Sequence, residues 1–153
     1  MINIWQVLTM FSVPEPVFID TSGFIGVMVE ADQYFKRAAP FFDELLEQSV
    51  PLITTNLVIA ESYPLIQRFS YPKNSLLFLE IVRDACQKNY LKLIYGAASH
   101  QEQAELLLRK YEDHDLSLVD AISFSVMKER NIAKVFGFDS HFRLAGFELV
   151  PAI

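Results

Sequence analysis

Four carboxylates stand where they could act together in one chemical site. Three follow an apolar segment or begin a helix, and the fourth lies inside a helix; they are Asp20, Asp139, Asp120 and Glu61. If they share one crevice, a cation must offset their repulsion, because two carboxylates ~4 Å apart repel by roughly 4 kcal/mol at an effective dielectric constant of about 20. Oxygen ligands favour Mg²⁺ or Mn²⁺ over zinc. The pattern therefore predicts a divalent-metal site, which most often serves phosphoryl chemistry.

Each carboxylate also has a purely structural explanation. Asp20 and Asp139 could cap helices, because Asp is a preferred N-cap residue. Ser117 and Asp120 fit a Ser-x-x-Asp capping box, in which Ser117 caps the helix while Asp120 still faces a metal. Glu61 follows four apolar residues, so its carboxylate needs a partner, an ion or a solvated helix face. The sequence leaves these alternatives open.

Polar neighbours of the carboxylates are candidates for supporting the site or contacting a substrate. Thr21 and Ser22 could hydrogen-bond the first carboxylate or a metal-bound water, although turn capping explains them equally well. His141 lies two residues from Asp139 and could contact a substrate, although a surface histidine is the simpler explanation. Ser117 completes this group of candidates.

Short β-rich segments alternate with long amphipathic helices, which predicts a mainly parallel sheet flanked by helices. Strands are predicted at 17–20, 51–54, 91–95, 134–138 and 147–151, and helices at 22–30, 33–48, 73–89, 98–111 and 117–130, with one more capped by Thr55. Ligands bind at the carboxyl ends of such strands, where helix N-termini converge. We expect Glu61 and Asp120 in the first turns of helices that border this crevice. The predicted organisation is one α/β domain at 17–153, after a short N-terminal extension at 1–16.

Composition and charge exclude several classes of protein. Apolar residues make up 52% of the chain, as in a globular protein, and no apolar stretch reaches the ~18 residues of a membrane helix. Met1–Val13 has no basic start or cleavage site, so no signal peptide is expected. One cysteine, Cys86, excludes an internal disulfide and predicts a reduced thiol in a cytoplasmic protein. The net charge of −6 argues against broad electrostatic binding of nucleic acid, but not against a nuclease.

Missing motifs weigh against other enzymes. The sequence has no Gly-x-Ser-x-Gly elbow, no phosphate-binding loop and no dinucleotide-binding turn. A haloacid-dehalogenase-type phosphohydrolase needs Asp-x-Asp after its first strand, whereas Asp20 is followed by Thr21 and Ser22. A receiver domain needs an acidic phosphoacceptor after a central strand, whereas the strand at 52–54 is followed by Thr55 and Asn56.

Four motifs in order resemble those of the PIN domain, and specifically the small VapC-like toxins of prokaryotic toxin–antitoxin pairs. They are Ile19–Ser22, Val58–Glu61, Ser117–Ala121 and Phe138–Phe142 followed by Gly146. The resemblance implies a metal-dependent endoribonuclease that uses Mg²⁺ or Mn²⁺. Asp20 and Asp120 would be the most direct metal ligands, with Glu61 and Asp139 supporting the ions or the attacking water. It also implies an RNA substrate, an antitoxin partner and a homodimer.

The alternative is a non-catalytic PIN-like binding module that acts in a protein or RNA complex. Five aromatic residues of the predicted helices at 22–48 could line a groove for a partner's amphipathic helix, or could belong to the core: Phe24, Tyr34, Phe35, Phe41 and Phe42. Basic residues that could position RNA form no clear stripe; the candidates are Lys36, Arg37 and Arg143. Pro64 predicts a kink in the helix beside Glu61.

Overall fold

The computed structural model describes residues 1–152. In chain order its elements are α1 (Ile4–Met10), β1 (Val17–Ile19), α2 (Thr21–Met28), α3 (Phe35–Glu47), β2 (Leu52–Thr55), α4 (Asn56–Phe69), α5 (Pro72–Gln87), β3 (Leu91–Ile94), α6 (Ala98–Lys110), α7 (Leu118–Glu129), β4 (Lys134–Phe136), α8 (His141–Leu144) and β5 (Glu148–Val150). Every predicted strand and helix forms, with ends that shift by one or two residues. Two elements, α1 and α8, were not predicted.

The strands form one parallel sheet in the order β3-β2-β1-β4-β5. The chain builds outward from β1 through β2 to β3 and then returns to the other side of β1 with β4. Val17 therefore pairs with Leu52 on one side and with Lys134 on the other. This reversal creates a switch point at the carboxyl end of β1, the place where open α/β sheets bind ligands. The predicted α/β architecture is confirmed.

Aromatic packing holds α2 and α3 on the sheet. Phe24 of α2 is buried and meets Phe78 of α5 edge to face, with ring centroids 5.1 Å apart. Phe41 and Phe42 of α3 both pack on the buried ring of Phe136 in β4. These rings fill the space between the helices and the sheet, as in a core, and two of them, Phe24 and Phe42, also line an apolar groove.

Two prolines lie inside helices without ending them. The helix α4 continues through Pro64 to Phe69, and α3 continues through Pro40. Close to Pro64, the fully buried hydroxyl of Ser62 donates a hydrogen bond of 2.7 Å to the carbonyl of Val58. Within residues 1–152, no helix combines the length and the apolar composition that crossing a membrane requires.

Candidate active site

Asp20 lies at the carboxyl end of β1 and caps α2. Its Oδ2 accepts hydrogen bonds from the backbone N–H of Ser22 at 3.2 Å and from the Ser22 hydroxyl at 2.8 Å. The same hydroxyl accepts a 2.9 Å hydrogen bond from the N–H of Phe138, which follows β4. Ser22 therefore ties the ends of the two central strands together and fixes the carboxylate between them.

The other oxygen of Asp20 is left for a ligand. Asp20 is only 3% exposed, and its Oδ1 has no hydrogen-bond partner among residues 1–152. A buried carboxylate oxygen without a partner is costly unless something outside the chain satisfies it. The hydroxyl of Thr21 is also buried and has no partner in the described part of the chain.

Two glycines allow this close approach of α2 and the end of β4. A Cβ at Gly23 would collide with the carbonyl oxygen of Phe136. A Cβ at Gly137 would lie 2.9 Å from the Ser22 hydroxyl oxygen and 3.2 Å from Cβ of Asp20. Sequence reasoning missed both glycines, although a glycine inside a predicted strand, as Gly137 is in the strand predicted at 134–138, is a signal for close backbone approach.

Asp120 occupies the first turn of α7, as predicted. Ser117 caps the helix, because its hydroxyl accepts a 3.0 Å hydrogen bond from the N–H of Asp120. The side chain of Asp120 is thereby free to line the cleft, where the residue is 7% exposed. The positive end of the helix dipole favours a carboxylate at this position.

Glu61 and Asp139 complete the group from the other side of the cleft. Glu61 is half-buried in the second turn of α4, so its expected place in a first turn was wrong: α4 begins at Asn56, directly after β2. Asp139 follows β4, and its Oδ1 accepts a 2.9 Å hydrogen bond from the N–H of His141. Nδ1 of His141 lies 3.1 Å from the same oxygen, without hydrogen-bond geometry.

The structure brings seven of the eight predicted site residues to one open cleft of about 350 Å³, and the eighth, His141, lies near Asp120 and Asp139 without lining the cleft. Its lining residues are Asp20, Thr21, Ser22, Ile25, Asp32, Tyr34, Glu61, Leu65, Ser117, Asp120 and Asp139. Ligand atoms of Asp120, Asp139 and His141 lie within 4.8 Å of one another. Sequence reasoning missed Asp32 in this cleft, because no motif surrounds it; its carboxylate accepts a 2.8 Å hydrogen bond from the N–H of Tyr34.

Comparison with known proteins agrees with this arrangement. The family model of the PIN domain matches residues 17–148. The chain belongs to the PIN domain family. It is also 26% identical, over 132 residues, to the 23S rRNA-specific endonuclease VapC20 of Mycobacterium tuberculosis, and the match covers 86% of this chain and 95% of that protein.

The solved structure of that relative has the same fold. The crystal structure of M. tuberculosis VapC20, described as a sarcin-ricin loop cleaving toxin, superimposes with a TM-score of 0.72 at 26% identity. The superposition covers 86% of this chain and 95% of VapC20. The resemblance to VapC-like PIN domains that the four sequence motifs predicted is therefore confirmed.

Burial and mutual repulsion make the first carboxylate of this PIN domain hard to ionise. The pKa of Asp20 is raised from 3.8 to about 7, mainly because the carboxyl group is buried and also because of the charge of Asp120. The hydrogen bonds from Ser22 oppose this shift, because they stabilise the ionised form. Near neutral pH the proton affinity of Asp20 is therefore high enough that a bound cation and a proton compete for it.

Asp120 is perturbed in the same direction. Its pKa is raised to about 6, mainly because of burial and also because of the neighbouring charges of Asp139 and Glu61, against the opposing effect of hydrogen bonding with Ser117. A divalent cation would offset these repulsions and hold both aspartates ionised.

The donor atoms present fit a hard divalent cation. The four carboxylates supply only oxygen ligands, which Mg²⁺ and Mn²⁺ prefer, and one of them has a buried oxygen without a partner. His141 adds a nitrogen atom beside Asp139 at the rim. Which of these residues hold a metal, and which act on a substrate, stay predictions.

Proposed function

We propose that this protein is a metal-dependent endoribonuclease that hydrolyses RNA phosphodiester bonds in the manner of a VapC toxin. The supporting observation is the cleft at the sheet's switch point, where four carboxylates converge and two have raised pKa values. Repulsion among these carboxylates destabilises the folded protein unless a bound cation offsets it. The family relationship and the likeness to an rRNA endonuclease support the same conclusion.

Each carboxylate has a distinct place in this proposal. Asp20 and Asp120 are the buried pair and would hold Mg²⁺ or Mn²⁺ most directly. When bound, the metal would lower the pKa of a water molecule and offset charge on the scissile phosphate. Glu61 and Asp139 are less buried, so they would orient the attacking water or complete the metal site.

The remaining polar residues would support these groups. Ser22 holds Asp20 through two hydrogen bonds, and Ser117 caps the helix that presents Asp120. Thr21 has a buried hydroxyl aimed at no partner within residues 1–152, which suits a bond to a ligand or to its water. His141 stands at the more exposed rim, where it would contact the RNA strand.

We propose RNA as the substrate class and a structured ribosomal RNA loop as the first substrate to test. The basis is the likeness to VapC20, whose name specifies 23S rRNA. An antitoxin protein and a second copy of the chain are the proposed partners, and the cytoplasm the proposed location, because ribosomal RNA is found there. Residues 17–153 are proposed as the nuclease domain and residues 1–16 as an extension.

A non-catalytic binding module is the second candidate function. One observation favours it: an apolar groove lies between α2, α3 and α5, away from the carboxylates. Of the five aromatic residues expected to line such a groove, Phe24 and Phe42 do so, and the groove is equally compatible with an enzyme that also binds a partner.

Incubation of purified protein with total cellular RNA tests the proposed activity. Wild type is expected to release discrete fragments with Mg²⁺ or Mn²⁺ and none with EDTA. Asp120→Asn should lose this cleavage, because it removes a metal-binding charge at unchanged size. Asp113→Asn is the matched control, since Asp113 is exposed and lies outside the cleft. Cleavage that survives both EDTA and Asp120→Asn would contradict the proposal.

A further inference from the structure

A second pocket continues from the acidic cleft along α2 and α4. It has a volume of about 350 Å³, and its mainly apolar walls include Val29, Leu65 and Phe69. Ile25, Asp32 and Leu65 line both the pocket and the cleft, so the two spaces adjoin. A molecule bound at the carboxylates can therefore extend directly into this pocket.

One side of α4 leads from the carboxylates to the pocket. Glu61, Leu65 and Phe69 follow one another at intervals of four residues, which places them on the same side of the helix. Phe69 lies about 12 Å along the helix axis from Glu61, because each residue of a helix advances about 1.5 Å. The pocket is therefore within reach of the part of a substrate that is next to the cleaved bond.

The end of α4 combines exposed aromatic rings with cations. Phe69 is 56% exposed, and the guanidinium carbon of Arg68 lies 5.4 Å from the centre of its ring. Two residues further on, Tyr71 is 66% exposed, and Nζ of Lys73 lies 6.0 Å from the centre of that ring. Surfaces that bind single-stranded nucleic acid have this composition, because bases stack on the rings and cations contact the phosphates.

The chemistry of the pocket suits a nucleobase. Asp32 has a charge of the same sign as phosphate, so the RNA backbone is not expected to enter the pocket. The carboxylate of Asp32 is held by a 2.8 Å hydrogen bond from the N–H of Tyr34 and can accept a further one from the amino group of a base. The side-chain amide of the exposed Gln33 both donates and accepts. A flat ring with polar edges matches apolar walls with these polar groups beside them.

We propose that this pocket binds an unpaired base of the RNA substrate close to the scissile phosphate, with the base stacked on Phe69 and a neighbouring phosphate paired with Arg68. The inference rests on the proposed function, because it assigns the pocket to the substrate of the acidic cleft. Sequence-specific recognition of RNA mostly uses unpaired bases stacked on aromatic side chains. Stacking also suits a chain with a net charge of −6, since it does not depend on a broad basic surface.

Fluorescence anisotropy with a short, labelled, single-stranded RNA in EDTA measures this binding without cleavage. Phe69→Ala and Phe69→Leu should each weaken binding roughly 5- to 100-fold, because both remove the stacking ring. Phe69→Tyr should bind as wild type does, since it keeps the ring. Tyr90→Ala is the matched control, because Tyr90 is 59% exposed and precedes β3, at the opposite end of the sheet from the cleft. Circular dichroism checks that each variant is folded.

Equal affinity of wild type and Phe69→Leu would overturn the proposal. So would a wild type that does not bind the RNA. A loss of affinity in Phe69→Tyr as large as that in Phe69→Leu would also overturn it, because the aromatic ring would then not be the group that binds.

The salt dependence of the same binding tests the contact of Arg68 with a phosphate. Arg68→Gln should make the slope of log K against log salt concentration shallower by about 0.7, the change expected for one phosphate contact on a single strand. Arg109→Gln is the control, since Arg109 is exposed near the end of α6 and lines neither the pocket nor the cleft. An unchanged slope in Arg68→Gln would contradict the phosphate contact.

Cleavage by the same variants separates the pocket from the catalytic site. With Mg²⁺, Phe69→Leu should raise KM for RNA roughly 5- to 100-fold and leave kcat and the affinity for Mn²⁺ unchanged, because Phe69 positions the strand and does not touch the metal site. Cleavage by wild type with an unchanged KM in Phe69→Leu would overturn the pocket's role and leave the nuclease intact. Weaker RNA binding by Phe69→Leu, together with no cleavage by wild type, would support the pocket and contradict the nuclease.

Discussion

At the scale of single residues, the carboxyl group of Asp20 is subject to opposing effects. Burial raises its pKa to about 7, while two hydrogen bonds from Ser22 stabilise the charge. The result is a side chain fixed in position that nevertheless holds a proton strongly. A site of this kind is preorganised for a cation, because ionisation without one is costly.

The stability of the metal-free protein should therefore decline as pH rises. The pKa values of Asp20 and Asp120 in the folded protein, about 7 and about 6, exceed the ordinary value of 3.8. The folded state therefore binds more protons than the unfolded state. The stabilisation that these two protonated groups contribute is complete below about pH 4 and is lost as pH rises through 6 to 7. Asp20→Asn should remove much of this loss and raise the free energy of unfolding at pH 8 by up to about 4 kcal/mol.

Urea denaturation in EDTA at pH 5 and pH 8 measures this effect. The difference between wild type and Asp20→Asn should grow with pH, whereas the exposed control Asp113→Asn should follow wild type. A constant difference at the two pH values would show that Asp20 does not have a raised pKa.

Ser22→Ala should weaken metal binding. The substitution removes the hydroxyl that donates to Asp20 and accepts from the N–H of Phe138. Loss of a hydrogen bond that orients a metal ligand typically lowers affinity 10- to 100-fold. Calorimetric titration with Mn²⁺ gives the dissociation constant, with the exposed Ser99→Ala as the control. Unchanged affinity in Ser22→Ala would mean that Asp20 is not held in place by this residue.

At the scale of elements, the site depends on how closely α2 approaches β4. Gly23→Ala should destabilise the protein by about 1–3 kcal/mol, because the added methyl group collides with the backbone carbonyl of Phe136. Gly96→Ala is the matched control, since its nearest neighbour would lie 3.9 Å away. Equilibrium unfolding measures both variants, and equal stability of the two would contradict the described contact.

A second contact joins α6 to α7, the helix that presents Asp120. Nδ1 of His100 accepts a 2.9 Å hydrogen bond from the N–H of Ala97 at the start of α6, and its Nε2 contacts the carboxylate of Glu129 near the end of α7. His100→Ala should lower the free energy of unfolding by about 1–3 kcal/mol, because it leaves a helix N-terminus uncapped and a void. The exposed His114→Ala should have little effect in the same thermal or urea experiment.

Local signals explain why so many elements could be predicted from the sequence. Thr55 and Ser117 cap α4 and α7 as expected, because a cap depends only on neighbouring residues. Contacts between distant segments leave weaker signals. The hydrogen bond from Phe138 to Ser22 and the approach of Gly23 to Phe136 join residues more than a hundred positions apart, so neither could be predicted from spacing.

At the scale of the whole molecule, the strand order determines which carboxylates meet. Motif order predicted that Asp20 and Asp139 follow strands, but their proximity arises because β4 returns beside β1. Helices α4 and α7 then bring Glu61 and Asp120 to the same end. The position of α1 is not determined in this way, because none of its side chains is buried among residues 1–152.

The most direct test of the central claim is the initial rate of RNA cleavage as a function of Mg²⁺ concentration. Wild type and Asp113→Asn should show the same saturable dependence on Mg²⁺. Asp120→Asn and Asp20→Asn should be at least ~100-fold slower at every concentration, because each removes a charge that the metal site needs. Equal rates in wild type and Asp120→Asn, or rates that do not depend on Mg²⁺ or Mn²⁺, would show that the acidic cleft is not the catalytic site.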